Sequence, residues 1–261
     1  MPTLPTLSRI DLNADLGEGY GPWRIGADAD LLDIVTSANV ACGGHAGDPD
    51  TMVDTLLAAR ARGVVVGAHP GYADPLGFGR RVIPMTLQGI ERMVATQIGA
   101  LMGAAALAGV RVGYVKAHGA LANLAADDRE VADAIARAVV AVSPDLAVLA
   151  MSGTEQVRAA EACGLTVYAE VFADRAYLPN GRLVPRHLPG AVIGDAAAAT
   201  ARLLGVLASG RMPVRDGPPI ALAMQSVCIH GDSPDAVAMA RHLRRALAEA
   251  GITLAPFLPG G

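Results

Sequence analysis

Seven apolar runs punctuate this chain, at 10–16, 37–42, 64–68, 112–116, 146–151, 166–172 and 220–229. Between them, the segments 49–62, 86–108, 127–142, 154–162, 195–209 and 234–250 carry Ala, Leu, Arg and Glu at the three-to-four-residue spacing of an amphipathic helix. The apolar runs are strand-sized, and strands alternating with helices predict parallel βαβ units. Asp48-Pro49-Asp50-Thr51 and Ser233-Pro234-Asp235 look like helix starts, where a capping side chain precedes a proline whose missing N–H costs nothing.

Six of the runs end abruptly in polar clusters. These are Asp15-Leu16-Gly17-Glu18, Cys42-Gly43-Gly44-His45, His69-Pro70-Gly71-Tyr72, Lys116-Ala117-His118-Gly119, Asp174-Arg175 and His230-Gly231-Asp232. Parallel strands that aim their C-terminal ends at one place assemble a single site from distant segments. Because the clusters are spread along the whole chain and not gathered at one switch point, the sheet is expected to close. The predicted fold is α/β: an irregular, seven-stranded, TIM-like β/α barrel forming a single domain over 1–261.

Period two along the first run puts Asp11, Asn13 and Asp15 on one face and Ile10, Leu12 and Ala14 on the other. Covering helices claim the apolar face, so the polar face points into the barrel, where it needs hydrogen bonds, a cation or a metal. The same parity joins Tyr114, Lys116 and His118 on the fourth strand and Gly67 with His69 on the third, where Gly67 leaves room beside an inward ligand. Two long connections, 67–84 and 172–190, are rich in arginine and have the length of lids or binding elements.

Composition narrows the function. A hydrophobic content of 52% supports a large core, and a net charge of −4 without a basic stripe argues against nucleic acid. The apolar stretches are too short or broken to span a membrane, and 1–8 lacks a basic segment followed by an apolar core, so a cytoplasmic location is expected. Cys42, Cys163 and Cys228 cannot all pair and lack metal-finger spacing, which suggests free thiols.

Lys116 is the only lysine among 21 basic residues. In a chain that otherwise uses arginine, it suggests a place where a compact ammonium is needed. His45, His69, His118 and His230 all follow strands, and imidazoles with a carboxylate make a candidate divalent-metal set, Asp15, His45 and His69. Phosphate-loop and Gly-x-Ser-x-Gly motifs are absent, which leaves hydrolysis by a positioned water as the best generic chemistry. Cys42 reads as a small buried thiol.

The ordered motifs at 11–18, 38–49, 67–72, 77–81, 116–121, 172–177 and 230–232 resemble those of the LamB/YcsF lactam-utilisation family from about 10 to 250. The resemblance implies a distorted barrel similar to the polysaccharide-deacetylase group. It also implies ATP-dependent opening of 5-oxoproline to L-glutamate with two partner subunits, B and C of a 5-oxoprolinase, which would supply the ATP chemistry this chain lacks. Expected catalytic residues are Asp15, Lys116, His118 and His69. Expected substrate contacts are Asp11, Asn13, Asn39, His45, Arg80, Glu170, Arg175 and His230, with Arg80 or Arg175 on the substrate carboxylate. The family usually carries an aromatic at the position of Gly44, and a proline and an aromatic where Ala117 and Ala122 stand here. Two alternatives stay open, a stand-alone metal-dependent amidohydrolase or deacetylase and a non-catalytic ligand-sensing scaffold, as does a homo-oligomer.

Overall fold

Asp11, Asn13 and Asp15 point inward, and a barrel closes around them. The computed structural model describes residues 8–229 and 235–258. In chain order the elements are β1 Arg9–Leu16, α1 Asp28–Leu32, β2 Ser37–Ala41, α2 Pro49–Ala61, β3 Val65–His69, α3 Leu87–Ala108, β4 Val112–Val115 and α4 Gly119–Asp127. There follow α5 Arg129–Val142, β5 Ala147–Met151, α6 Glu155–Ala162, β6 Val167–Phe172, α7 Ala196–Ser209, β7 Arg211–Met212, β8 Ile220–Ala221, β9 Ser226–Ile229, α8 Ala236–Glu249 and β10 Thr253–Leu254. Strands β1 to β6 and β9 form seven parallel staves, and β9 closes on β1.

On β1 the apolar set Ile10, Leu12, Ala14 and Leu16 is buried beneath the helical layer, as parity required. Helices α2, α3, α5 and α7 start where a side chain satisfies free N–H groups. Asp48 accepts from Thr51 N at 2.9 Å ahead of Pro49, and Asp128 and Asp195 cap α5 and α7 in the same way. Glycines in the left-handed region, Gly109 and Gly210, end α3 and α7.

The structure departs from the sequence expectation in three places. The run 220–229 splits: Ile220–Ala221 pairs antiparallel with β7 outside the barrel, and only Ser226–Ile229 is a stave. Between them, Gln225 N donates to Ala169 O at 2.9 Å and Gln225 Oε1 accepts from Ala169 N at 2.7 Å, so a side chain supplements the backbone pairing there. The stretches 28–32 and 119–127, outside the predicted helices, are α1 and α4. The helix start at 233–235 falls partly outside the described residues, and Asp235 makes no side-chain cap on α8.

The gap left by Gly67 is filled by protein. A Cβ at Gly67 would overlap the ring of Tyr114, which packs across β3 and donates to Asn39 Oδ1 at 2.6 Å. Tyr114, Tyr168, Phe257 and Leu258 plug the end of the barrel where the strands begin, so the other end carries the chemistry. Gly67→Ala should therefore cost about 1–3 kcal/mol through overpacking, measured by urea unfolding. An unchanged midpoint would show that the ring has room to move.

Candidate active site

The polar interior is layered. Deepest, the buried Asp11 accepts from Thr36 and Ser37 hydroxyls, each at 2.6 Å, and from Ser226. Burial raises its pKa against the pull of those hydroxyls. In the next layer Asn13 Nδ2 donates to Ser226 Oγ at 2.7 Å, while Asn39 Nδ2 donates to Asn13 Oδ1 at 2.7 Å and Asp15 Oδ1 at 2.8 Å. Asp11, Asn13 and Asn39 thus hold one another and their neighbours below the cavity and are not among its lining residues.

Lys116 rises from this network. Its ammonium, 4% exposed, lies 3.0 Å from Asp15 Oδ1, 3.1 Å from Glu170 Oε2, 3.2 Å from Asn13 Oδ1 and 3.1 Å from Cys228 Sγ. Burial pushes its pKa down, but Asp15, Cys228 and Glu170 outweigh that and hold it well above the usual lysine value. Lys116 is therefore a fixed cation and not a free amine. Glu170 is raised as well: burial raises its pKa, Lys116 lowers it and Asp15 raises it further, leaving a net rise. A buried carboxyl so shifted can donate a proton.

Beside this cage stand three imidazoles. His69 Nδ1 donates to Lys116 O at 2.7 Å and His118 Nε2 donates to Phe78 O at 2.8 Å, since a carbonyl can only accept. Those bonds leave lone pairs on His69 Nε2 and His118 Nδ1, which face each other across 3.0 Å. Burial, followed by His69, depresses His118 to about 3, and His45 too lies well below its ordinary value, chiefly through burial. Two ring lone pairs so placed repel unless a cation lies close by.

Glu18 supplies the negative charge, with Oε1 3.1 Å from His45 Nε2 and 3.8 Å from His118 Nδ1. One donor atom from each of Glu18, His45, His69 and His118 falls within a 4.8 Å span, and His45 Nδ1 is buried without a hydrogen-bond partner. This set fits a divalent ion. This cluster differs from the expected triad of Asp15, His45 and His69: Glu18 and His118 lie with His45 and His69, while Asp15 sits 3.4 Å from His69 Nε2 and is shared with Lys116. The turn beneath is clamped by Gln97, which donates to Gly71 O at 2.7 Å and accepts from Gly71 N at 3.0 Å. Gln97 also occupies the space beside Gly44, where an added Cβ would overlap it.

A cavity of about 530 Å³ opens above these groups. Asp15, His69, Lys116, His118 and Glu170 line it with Arg80 and Arg175, as do Ala117 and Ala122. His45 is buried behind it, its ring stacked on that of His118 with centroids 3.6 Å apart. His230 lies outside the described residues. Sequence reasoning missed Glu18, Gln97 and Cys228; of these only Glu18, at the end of the first motif, carried a signal.

The LamB/YcsF family model matches residues 10–259. The chain belongs to the LamB/YcsF family. Among its relatives, a protein of Nitrobacter hamburgensis named as the A subunit of 5-oxoprolinase is 52% identical over 249 residues, covering 95% of this chain and 98% of the relative. One of the same name from Methylococcus capsulatus is 50% identical over 246 residues, covering 94% and 95%. The crystal structure of a lactam utilization protein from Thermus thermophilus superposes with a TM-score of 0.89 at 41% identity, covering 95% of this chain and 99% of that one. A deacetylase, 17% identical with a TM-score of 0.50 and covering 95% and 88%, shares the fold. No helix among the described residues is long and apolar enough to cross a membrane.

Proposed function

We propose that this chain is the hydrolytic subunit of an ATP-dependent 5-oxoprolinase that converts 5-oxoproline to L-glutamate together with subunits B and C. The observation that supports it most is the Lys116 ammonium held between Asp15 and Glu170 on the wall of a cavity that also presents guanidinium groups. The relatives that carry the 5-oxoprolinase name add to it.

A five-membered lactam is an unactivated amide. Phosphorylation of its carbonyl oxygen by the partner subunits, with ATP, makes the ring carbon electrophilic. Asp15 takes a proton from a water that adds to that carbon, sending the C=N electron pair to the ring nitrogen, and Lys116 stabilises the added oxygen as it gives its proton to solvent and re-forms the carbonyl. Glu170 donates a proton to the ring nitrogen as the C–N bond breaks. That order matters, because loss of phosphate at this stage would only regenerate the lactam. The acyl phosphate left behind takes a second water, releasing phosphate and glutamate, so one ATP and two waters are consumed. Arg80 or Arg175 holds the substrate carboxylate. A divalent ion on Glu18, His45, His69 and His118 would supply Lewis-acid polarisation beside this machinery.

The test is glutamate release from 5-oxoproline by the chain alone and with subunits B and C, each with and without ATP, with metal content measured on the same samples. Turnover is expected only in the complete ATP-containing mixture; turnover by the chain alone without ATP would overturn the assignment. The opposed lone pairs of His69 and His118 favour a second reading, metal-dependent amide hydrolysis by the chain by itself, and that same outcome, with stoichiometric metal, would establish it.

A further inference from the structure

The carboxylates that line the cavity are already matched. Asp15 and Glu170 share Lys116, and Asp127 pairs with Arg182. Two further lining guanidiniums, Arg175 and Arg186, have no carboxylate at ion-pair distance among the described residues. Arg175 is 4% exposed, and its Nη2 and Nε donate to Val184 O at 2.7 Å and Ala191 O at 3.3 Å. These carbonyls fix the guanidinium plane without neutralising its charge.

The same bonds fold the 172–190 connection back on itself. Val184 N donates to Ala176 O at 2.9 Å, which brings Arg186, two residues further on, to the wall that Arg175 lines. The two cations act on each other: burial, then the charge of Arg186, lowers Arg175 to about 10 against smaller opposite pulls from Asp174 and Tyr177, and Arg80 adds a further small push downward. Holding the buried Arg175 cation beside a second guanidinium is costly unless an anion offsets the charge. The carboxylate of a lactam acid accounts for one fork, on Arg80 or Arg175, and leaves the Arg186 side of the wall unmatched. At about 530 Å³ the cavity is also in the range of drug-sized ligands, larger than a five-membered ring acid requires.

We infer that Arg186, with Arg175 behind it, forms a phosphoryl-anion subsite, so that the ligand this chain receives is the phosphorylated lactam and not the lactam itself. This rests on the lactam-hydrolysing role proposed above and deepens it. The ring-opened acyl phosphate keeps the same phosphoryl group on the same arginines while water attacks its carbonyl carbon. Phosphate then leaves from the subsite, and the free ion is itself a ligand for it.

The test titrates the full chain with inorganic phosphate at constant ionic strength in chloride, followed by 31P NMR and calorimetry, for wild type, Arg186→Gln and Arg186→Lys. Arg186 is solvent-exposed, so both variants should fold as wild type does. Saturable phosphate binding is expected, weakened at least about tenfold in Arg186→Gln and partly restored in Arg186→Lys. Binding no tighter than chloride, or equal in wild type and Arg186→Gln, would overturn the inference. In the assembled enzyme, phosphate should compete with turnover, and Arg186→Gln should raise its inhibition constant by the same factor. Failure of the assembled enzyme to release glutamate would count against the lactam-hydrolysing role alone, because phosphate binding to the isolated chain decides the subsite independently.

Discussion

Replacing Lys116 with Met should lower glutamate release by the assembled enzyme about a hundred- to a thousandfold, the loss typical of removing one preorganised charge from a reacting oxygen. It should also cost about 3–5 kcal/mol of stability, because it strips the counter-ion from two buried carboxylates. Asp15 Oδ1 and Glu170 Oε2, now 3.0 and 3.1 Å from the ammonium, would be left close together and nearly buried. They respond by holding protons, and their folded-state pKa values rise above the unfolded ones. The folded state then binds more protons than the unfolded state, so stability falls as pH increases through that window. The deficit in urea unfolding should therefore be smaller at about pH 5 than at about pH 8. A deficit independent of pH would mean that the two carboxylates are not coupled through Lys116. Arginine should not rescue activity, since its planar fork cannot fit four partners arranged for a compact ammonium.

Asp15→Asn separates chemistry from stability. The amide is isosteric, and its oxygen can still accept from Asn39 Nδ2 and Lys116 Nζ. Its NH2 group would face His69 Nε2, 3.4 Å away, where a donor meets a lone pair. Stability should fall by about 1–3 kcal/mol, less than in the Lys116 variant, because the hydrogen bonds persist and Glu170 still pairs with the ammonium. Turnover should fall by about a hundredfold or more, because the group that takes the proton from water is gone. Rapid-quench analysis of the assembled enzyme should show that the partner subunits still consume ATP while glutamate release stops. Equal loss of both would place Asp15 in ATP-dependent activation, and retained glutamate release would remove it from the chemistry altogether.

The contrast between these variants shows how much of the site was readable before folding. Period two along β1 was enough to send Asp11, Asn13 and Asp15 inward, because a strand has only two faces and the helices claim the apolar one. That parity could not say which carboxylate reaches substrate. Asp11 is enclosed by Thr36, Ser37 and Ser226, whereas Asp15, two strand steps higher, lines the cavity. His118 lines it as well, but from the N-cap position of α4 and not from a strand, because β4 ends at Val115. Gly67 looked like room for a ligand and proved to be room for Tyr114, since an absent side chain does not say what fills its place.

Local sequence determined the order of strands and helices, the caps at Asp48, Asp128 and Asp195, the ends of the strands at one pole and the singular status of Lys116. These features depend on neighbours in the chain, whose spacing is fixed by covalent geometry. Tertiary structure alone decided that Glu18 and not Asp15 completes the histidine cluster, that Glu170 shares the ammonium of Lys116, and that Arg175 and Arg186 come to one wall. Such pairings join residues far apart in the chain through barrel register and loop backbone hydrogen bonds. Only closure sets the ångström-scale distances on which electrostatics depends.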